Sequence, residues 1–450
     1  MFPVSCRTMG AMSPAFSLHL AVFAFLCGAV VLYPSCAAAA TAAHGRVGAD
    51  LFDGHTHLRR ATLVAAVLER NPSIEAARQA WQMALQRYPQ ATAFEDPMVA
   101  YSVAPLSLVK GVPFGHEIRV SQRLPFPGKR ALAGAVARAE ALAAKEGVES
   151  ARGALALIAS GLLDDYYVVE RSLEINAEHA ILLRDLREIA DAQYAAGRAS
   201  QQDALRAELE LALLDEERLS LEAERAVVIA QINGLLHRDL QLKLPPAADP
   251  GEPVLPAVNL ATLEQIALEN RPELRAIGAL VRGSEAAVSL TRRQYYPDFG
   301  VMSSYSTMWE MQEHRWMAGF EMNVPLQLGR RRAAADEAQA RLAQARSEED
   351  HARIELAVEV TRAFERLDES RRRLDLFQER LLPVARDQVA VAEAAFVSSQ
   401  GQFSSVIDAE RALRNVALRF HVARADLHRR AAELDRILGR IPGLPERVEP

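Results

Sequence analysis

Between Pro127 and Pro245 the chain contains no proline. Proline clashes with the preceding turn and withholds a backbone donor, so its absence over such a length leaves helix free to run unbroken. Within the stretch apolar residues recur three and four apart. Leu155, Ile158, Leu162, Tyr166, Val169 and Leu173 form one series. Leu205, Leu209, Ala212, Leu219, Ala223, Ala226 and Ala230 form a second, with Glu216 its one polar member. That rhythm predicts helices held in coiled-coil packing. Gly197 tolerates the left-handed C-terminal position and Ser200 can cap the next helix, so the turn falls between them. A first helix from about Lys129 to Ala196 would reach roughly 100 Å, far beyond an ordinary globular helix. The stretch is a helical hairpin that covers distance.

The plan is written twice. Ala61-Thr62-Leu63 returns as Ala261-Thr262-Leu263, Leu68-Glu69 as Leu268-Glu269, Pro72 as Pro272 and Ala76 as Ala276, all at one offset. The period is too long for a solenoid. Each copy opens with a short helix, then a proline at the first turn of a second helix, where its missing donor costs nothing. That second helix is expected to stop at Tyr88-Pro89 and at Tyr296-Pro297. Two strand-like segments follow in each copy, about 96–104 and 116–124, then about 298–308 and 315–325. Val99, Tyr101 and Val103 share a side. Ile118, Val120 and Leu124 oppose Glu117, Arg119, Ser121 and Arg123. Trp316, Ala318, Phe320, Met322 and Val324 oppose Met317, Gly319, Glu321 and Asn323. Period two gives one apolar and one largely polar face. A soluble sheet with a solvated side has the same pattern. Each strand pair then exits through prolines into a long hairpin. Pro383, alone inside the second hairpin, predicts a kink.

The chain thus divides into an extended segment 44–60, a first repeat 61–236 with its hairpin over 128–236, and a proline-rich linker 237–258. A second repeat 259–441 carries a hairpin over 329–438, and 442–450 is a tail. Residues 1–43 read as an export signal, with Arg7, an apolar run from Phe16 to Tyr33, and small residues from Cys36 to Ala43. All three cysteines, Cys6, Cys27 and Cys36, precede the expected cleavage region, so the exported chain would carry no disulfide. An uncleaved anchor is one alternative. A lipidated Cys36 is another, though Tyr33-Pro34-Ser35 is a poor approach to a lipidation motif.

Other classes are excluded. A net charge of −6 leaves no electrostatic footprint for nucleic acid. His55 and His57 have a metal-ligand spacing, but no further ligands succeed them in pattern, so no metal site is assigned. The chain has no Gly-x-Ser-x-Gly, P-loop or His-Glu-x-x-His, so neither catalysis nor a cofactor is expected. The four strands have membrane-spanning length. A membrane barrel needs about eight strands or more, because open edges leave unpaired backbone groups in lipid. Four strands in an exported chain must therefore be pooled with those of other copies.

The ordered set resembles the TolC-type outer-membrane efflux family over nearly the whole mature length. Its elements are the Asn71-Pro72 and Arg271-Pro272 openings, the strand pairs leading into hairpins, and the turn Tyr194-x-x-Gly197 followed by Asp203 and Ala207-Glu208. The second copy reads Phe396-x-x-Ser399, Ser405, Ala409-Glu410, with the turn glycine displaced to Gly401 and serine at the acidic position. The phrase from Gln122 to Lys129 leans toward the heavy-metal branch, the CusC- and CzcC-like proteins.

The resemblance implies a mainly α fold with a small β part, assembled as a homotrimer. A twelve-stranded barrel would sit in the lipid bilayer of the cell outer membrane, above an α-helical tunnel in the periplasm. The turns, through Gly197, Ser200, Ser399 and Gly401, would dock onto a periplasmic adaptor and an inner-membrane pump of the RND type. Metal cations or small toxic compounds would leave passively. Trp316, Ala318, Phe320, Met322 and Val324 would face lipid, and Arg119, Arg123, Glu321 and Asn323 the lumen or barrel ends. Asp408, with Ser405 and with Asp203 of the first hairpin, would form the gate at the periplasmic tip. Met302, Met308, Met311, Met317 and Met322 with His314 offer ligands suited to Cu(I). In a strand hairpin methionine equally faces lipid or a neighbour, and no metal site is assigned there. The alternative function is a periplasmic adaptor. Adaptors flank one hairpin with small β domains, whereas here two hairpins each follow a strand pair.

Overall fold

A computed structural model of the chain describes residues 52, 54, 56–108, 113–196, 200–251, 253, 259–398 and 401–444. Residues 1–54 and 55–450 are separate units, and the elements described below lie in the second. The export-signal reading of residues 1–43, and the turn residues Gly197 and Ser399, lie outside the described residues.

Helix α1 (Arg60–Arg70) and α2 (Pro72–Thr92) are divided at Asn71. Its extended backbone ends the first, and its side-chain oxygen accepts from Ser73 N at 3.0 Å to cap the second. Strands β1 (Met98–Val103) and β2 (His116–Leu124) follow, then α3 (Lys129–Ala195, 67 residues) and α4 (Gln201–Leu235). The order recurs as α5 (Leu260–Asn270), α6 (Pro272–Arg293), β3 (Phe299–Ser306) and β4 (Trp316–Met322). The second hairpin is α7 (Leu328–Leu376), α8 (Leu382–Val397) and α9 (Phe403–Ile437). Pro72 and Pro272 both stand in the first turn of their helices, where the absent N–H would have had no partner.

Two prolines act differently from one another. Helix α2 does not stop at Tyr88-Pro89 but carries Pro89 inside it and runs on to Thr92. So close to the end, the ring costs only one intrahelical bond. Thr92 Oγ1 also donates back to Tyr88 O at 2.9 Å. Pro383 instead disturbs its helix. A π-helical turn, Phe377–Leu381, joins α7 to α8 just before it. The wider turn accommodates the ring and the missing donor without breaking the rod.

Helix α3 packs on α1, α2, α4, α6 and α9; of its apolar series Leu155, Tyr166 and Val169 are buried, whereas Ile158 is exposed. One apolar core joins α5, α7 and α9 through Leu263, Val360, Leu367, Leu427 and Leu434. A second joins the distal parts of both hairpins through Leu183, Leu186, Ala207, Leu214, Phe396 and Phe403. Asp164, its side chain 1% exposed, is held by Arg60 from α1, with Nη2–Oδ1 at 2.5 Å and Nη1–Oδ2 at 3.2 Å. Burial pushes this carboxyl above its ordinary range, and Arg60 draws it back. The proline-rich stretch is tied down as well. Ala247 bridges Leu58 and donates to Glu170 at 2.9 Å, and Asp249 meets Arg424 at 2.6 Å.

The apolar series on α4 points the other way from α3. Leu205, Leu209, Ala212, Glu216, Leu219, Ala223 and Ala226 are exposed, while Ala207, Leu214, Val228 and Ile232 are buried. A matching exposed series, Ile354, Val358, Leu376, Val384 and Val391, runs along α7 and α8. Within one chain both seams are bare.

Candidate functional site

The four strands form one antiparallel sheet in the order β1-β2-β3-β4. Strands β2 and β3 pair from Leu124↔Phe299 to Glu117↔Ser306, although the whole first hairpin lies between them in sequence. The register Tyr101↔Ile118, Ile118↔Tyr305 and Tyr305↔Trp316 carries one apolar face across all four strands. Leu124↔Phe299 and Phe299↔Met322 do the same near the other end. This face is bare: Trp316 is 69% and Phe320 65% exposed, and Val99, Val120 and Val301 are exposed too. Contiguous apolar surface of this kind requires a partner or a lipid phase. Strands β1 and β4 each have a single neighbour, so both outer edges carry unpaired backbone groups.

The opposite face holds Arg119, Arg123 and Glu321, with Ser121 and Ser304 among them. Arg119 meets Glu117 at 2.9 Å and Arg123 meets Glu95 at 3.4 Å. Asn323 lies just past β4, where its N–H donates to Asp298 O at 2.9 Å. The strand methionines divide between the faces. Met302 and Met317 share the polar side, and Met322 shares the apolar side with Phe320. Gly319 seats Met302, since a Cβ there would stand 2.5 Å from Met302 Cε. Among the described residues no group of three His, Cys, Asp or Glu side chains could hold a metal ion.

At the distal ends of the hairpins, Ser200 caps α4 by accepting from Gln202 N at 3.2 Å. Gly401 N–H donates to Ala395 O at 2.9 Å, and a Cβ at Gly401 would approach Ala395 Cβ to 2.9 Å. Close approach, not a left-handed backbone, explains this glycine. Along α9, Phe403, Val406 and Ile407 turn inward while Ser405 and Asp408 are exposed. Asp408 is 71% exposed and lies 3.7 Å from Arg411, which also pairs with Glu210 of α4. Asp203, in the first turn of α4, is half-buried. Ser405 and Asp408 thus share one exposed face, and Asp203 belongs to the other hairpin.

Sequence reasoning missed a polar joint behind that face. Glu410 of α9, its side chain 6% exposed, lies 3.4 Å from His179 of α3. Burial, and next the nearby Glu393, push the Glu410 carboxyl up to about 7. Burial, and next Arg414, push His179 down to about 4. The pair is therefore a carboxylic acid facing a neutral imidazole at mildly acidic pH. The signal was present, since Glu410 ends the repeated Ala-Glu pair, but its burial depends on α8 and α3.

Residues 263–440 match the family model described as outer membrane efflux protein. The cobalt-zinc-cadmium resistance protein CzcC of Cupriavidus metallidurans is 28% identical over 187 residues. That alignment covers 41% of this chain and 44% of CzcC, so it spans less than half of the relative's length. Among solved structures, CusC superposes with a TM-score of 0.74 at 19% identity, covering 85% of this chain and 92% of that one. The outer membrane protein VceC of Vibrio cholerae gives 0.71 at 16% identity, covering 85% and 96%. These structural likenesses establish a shared fold.

Proposed function

We propose, from the match of residues 263–440 to the outer membrane efflux protein model, that the chain is a member of that family and the outer-membrane exit duct of a tripartite efflux system. The observation that carries this reading is the sheet, which is apolar and exposed on one face and polar on the other, with two open edges. Lipid tolerates no unpaired strand edge. Sheets from three copies, joined edge to edge, would close a twelve-stranded barrel with Trp316 and Phe320 outward and Arg119, Arg123 and Glu321 inward or at its ends. The bare seams on α4 and on α7–α8 would pair between neighbouring copies to wall a tunnel below it. Solutes would pass without chemistry, so no cofactor is required.

At the tunnel mouth Asp408 from three chains would form the constriction, with Ser405 adding hydroxyls and Asp203 set back from the axis. The turns at Gly197–Ser200 and Ser399–Gly401 would receive a periplasmic adaptor linked to an RND-type pump. The likeness to CzcC, a cobalt-zinc-cadmium resistance protein, favours metal cations as cargo, with small toxic compounds the wider class. The test is fractionation followed by planar-bilayer recording of the purified assembly. Outer-membrane location and discrete conductance steps are expected. Association with the inner membrane, with no conductance, would favour an adaptor instead.

A further inference from the structure

Where the sheet meets the helices, cations collect without partners. Arg292 in the last turn of α6, and Arg330 and Arg332 in the first turns of α7, are exposed and make no ion pair or side-chain hydrogen bond with any described residue. The two helix ends are adjacent, because Arg331 Nε donates to Gln294 O at 3.0 Å. The neighbouring cations are already engaged: Lys129 with Asp298 at 2.7 Å, and Arg293 with Pro127 O at 2.7 Å. No acidic residue stands in the first turn of α7. Positive side chains there oppose the helix dipole, so helix stability does not account for them.

The second observation is the apolar surface beside them. Val324, Leu326 and Leu328 lead from β4 into α7 and are all exposed, Leu326 by 82%. Tyr296 is half-exposed and stacks on Phe126 at a ring separation of 4.6 Å. The apolar sheet face thus ends in an exposed leucine step, a tyrosine and then free guanidinium groups. Tyrosine at a membrane boundary, with arginine just beyond the apolar zone, is the pattern that reads an anionic headgroup layer.

We propose that Arg292, Arg330 and Arg332 form a binding site for the phosphate of an anionic phospholipid in the bilayer leaflet nearest the helices. The occupant is a lipid because a free phosphate would have no use for Leu326 and Leu328, whereas acyl chains continue along them onto the sheet. Guanidinium suits this task, being permanently charged and shaped for bidentate contact with phosphate oxygens. The site rests on the reading that the apolar sheet face meets lipid.

The experiment is lipid retention by the full-length assembly, measured by native mass spectrometry. The probe is an equimolar mixture of phosphatidylglycerol and phosphatidylcholine vesicles. The wild type should retain phosphatidylglycerol over phosphatidylcholine by roughly tenfold or more, in line with the attraction of several basic side chains to an anionic surface. The triple variant Arg292→Gln, Arg330→Gln, Arg332→Gln should assemble and retain both lipids equally. Should that variant fail to assemble, wild type at high salt serves, because screening should remove the preference. Equal retention by wild type at low salt overturns the site while leaving the lipid-facing sheet intact. Failure to enter either vesicle overturns the lipid-facing reading itself. Displacement of phosphatidylglycerol by inorganic phosphate, at an ionic strength where chloride does not displace it, would show a free-anion site and also overturn the proposal.

Discussion

Replacing Glu410 by glutamine should stabilise the protein at alkaline pH and leave it nearly unchanged in mild acid. In the folded chain Glu410 releases its proton at about 7, against an ordinary value of 4.5. Folded protein therefore keeps a proton that the unfolded chain gives up above about pH 4.5. Its contribution to stability falls as pH rises from there to about 7, and is level beyond. At about 1.4 kcal/mol per pH unit the full effect is on the order of 3 kcal/mol per chain. The side chain is almost wholly buried, so solvent screening removes little of it. The charged surroundings are Glu393 on α8, His179 on α3, and Arg414 on α9, which is engaged with Glu217 of α4 at 2.8 Å. His179 has the opposite sign: with its folded value at about 4, it favours the folded state above its ordinary 6.5 and loses that contribution as pH falls toward 4. Comparing Glu410→Gln with wild type at each pH cancels the histidine. Glutamine mimics the protonated acid in size and in lack of charge. Thermal unfolding should show nearly equal Tm near pH 4 and a variant higher by a few degrees at pH 8. A Tm difference that does not change with pH, or a variant less stable at pH 8, would refute the reasoning.

The same geometry sets three more outcomes. Phe320→Asp should block assembly, a charge on the lipid side costing a few kcal/mol near mid-bilayer, while Glu321→Gln should assemble as wild type in heat-resistance gels. Arg60→Ala leaves the buried Asp164 carboxylate unpaired and should cost about 3–5 kcal/mol in denaturant unfolding, with much of it restored by adding Asp164→Asn. Asp408→Ala should lower cation selectivity and divalent block in planar bilayers, and Asp203→Ala should do so less. Unchanged selectivity in both would remove Asp408 from the constriction.

The legible parts of the molecule are those governed by local rules. The absence of proline over a long stretch was enough for α3 and α4, because nothing else interrupts a helix so sharply. Strand parity was enough for the two faces of the sheet, since a period of two separates Phe320 from Glu321 in any register. Pairing across Leu124 and Phe299 was not legible, because it joins segments separated by an entire hairpin. The orientation of the α4 series was also hidden. Helical spacing shows that Leu205, Leu209 and Leu219 share a stripe, but not whether α3 or a second chain covers it. The Glu410–His179 joint was hidden for the same reason, being made by three helices. Pro89 shows a local rule overridden, where one lost bond near a helix end is outweighed by the packing of α2 on α3.

The central claim is that four strands and two bare helical seams make one third of a closed wall. Native mass spectrometry of the protein extracted from membranes into mild detergent tests it most directly. The account predicts a single dominant species of three chains, whose dissociation is accompanied by loss of strand signal. A stable monomer that keeps its β-sheet intact would contradict it.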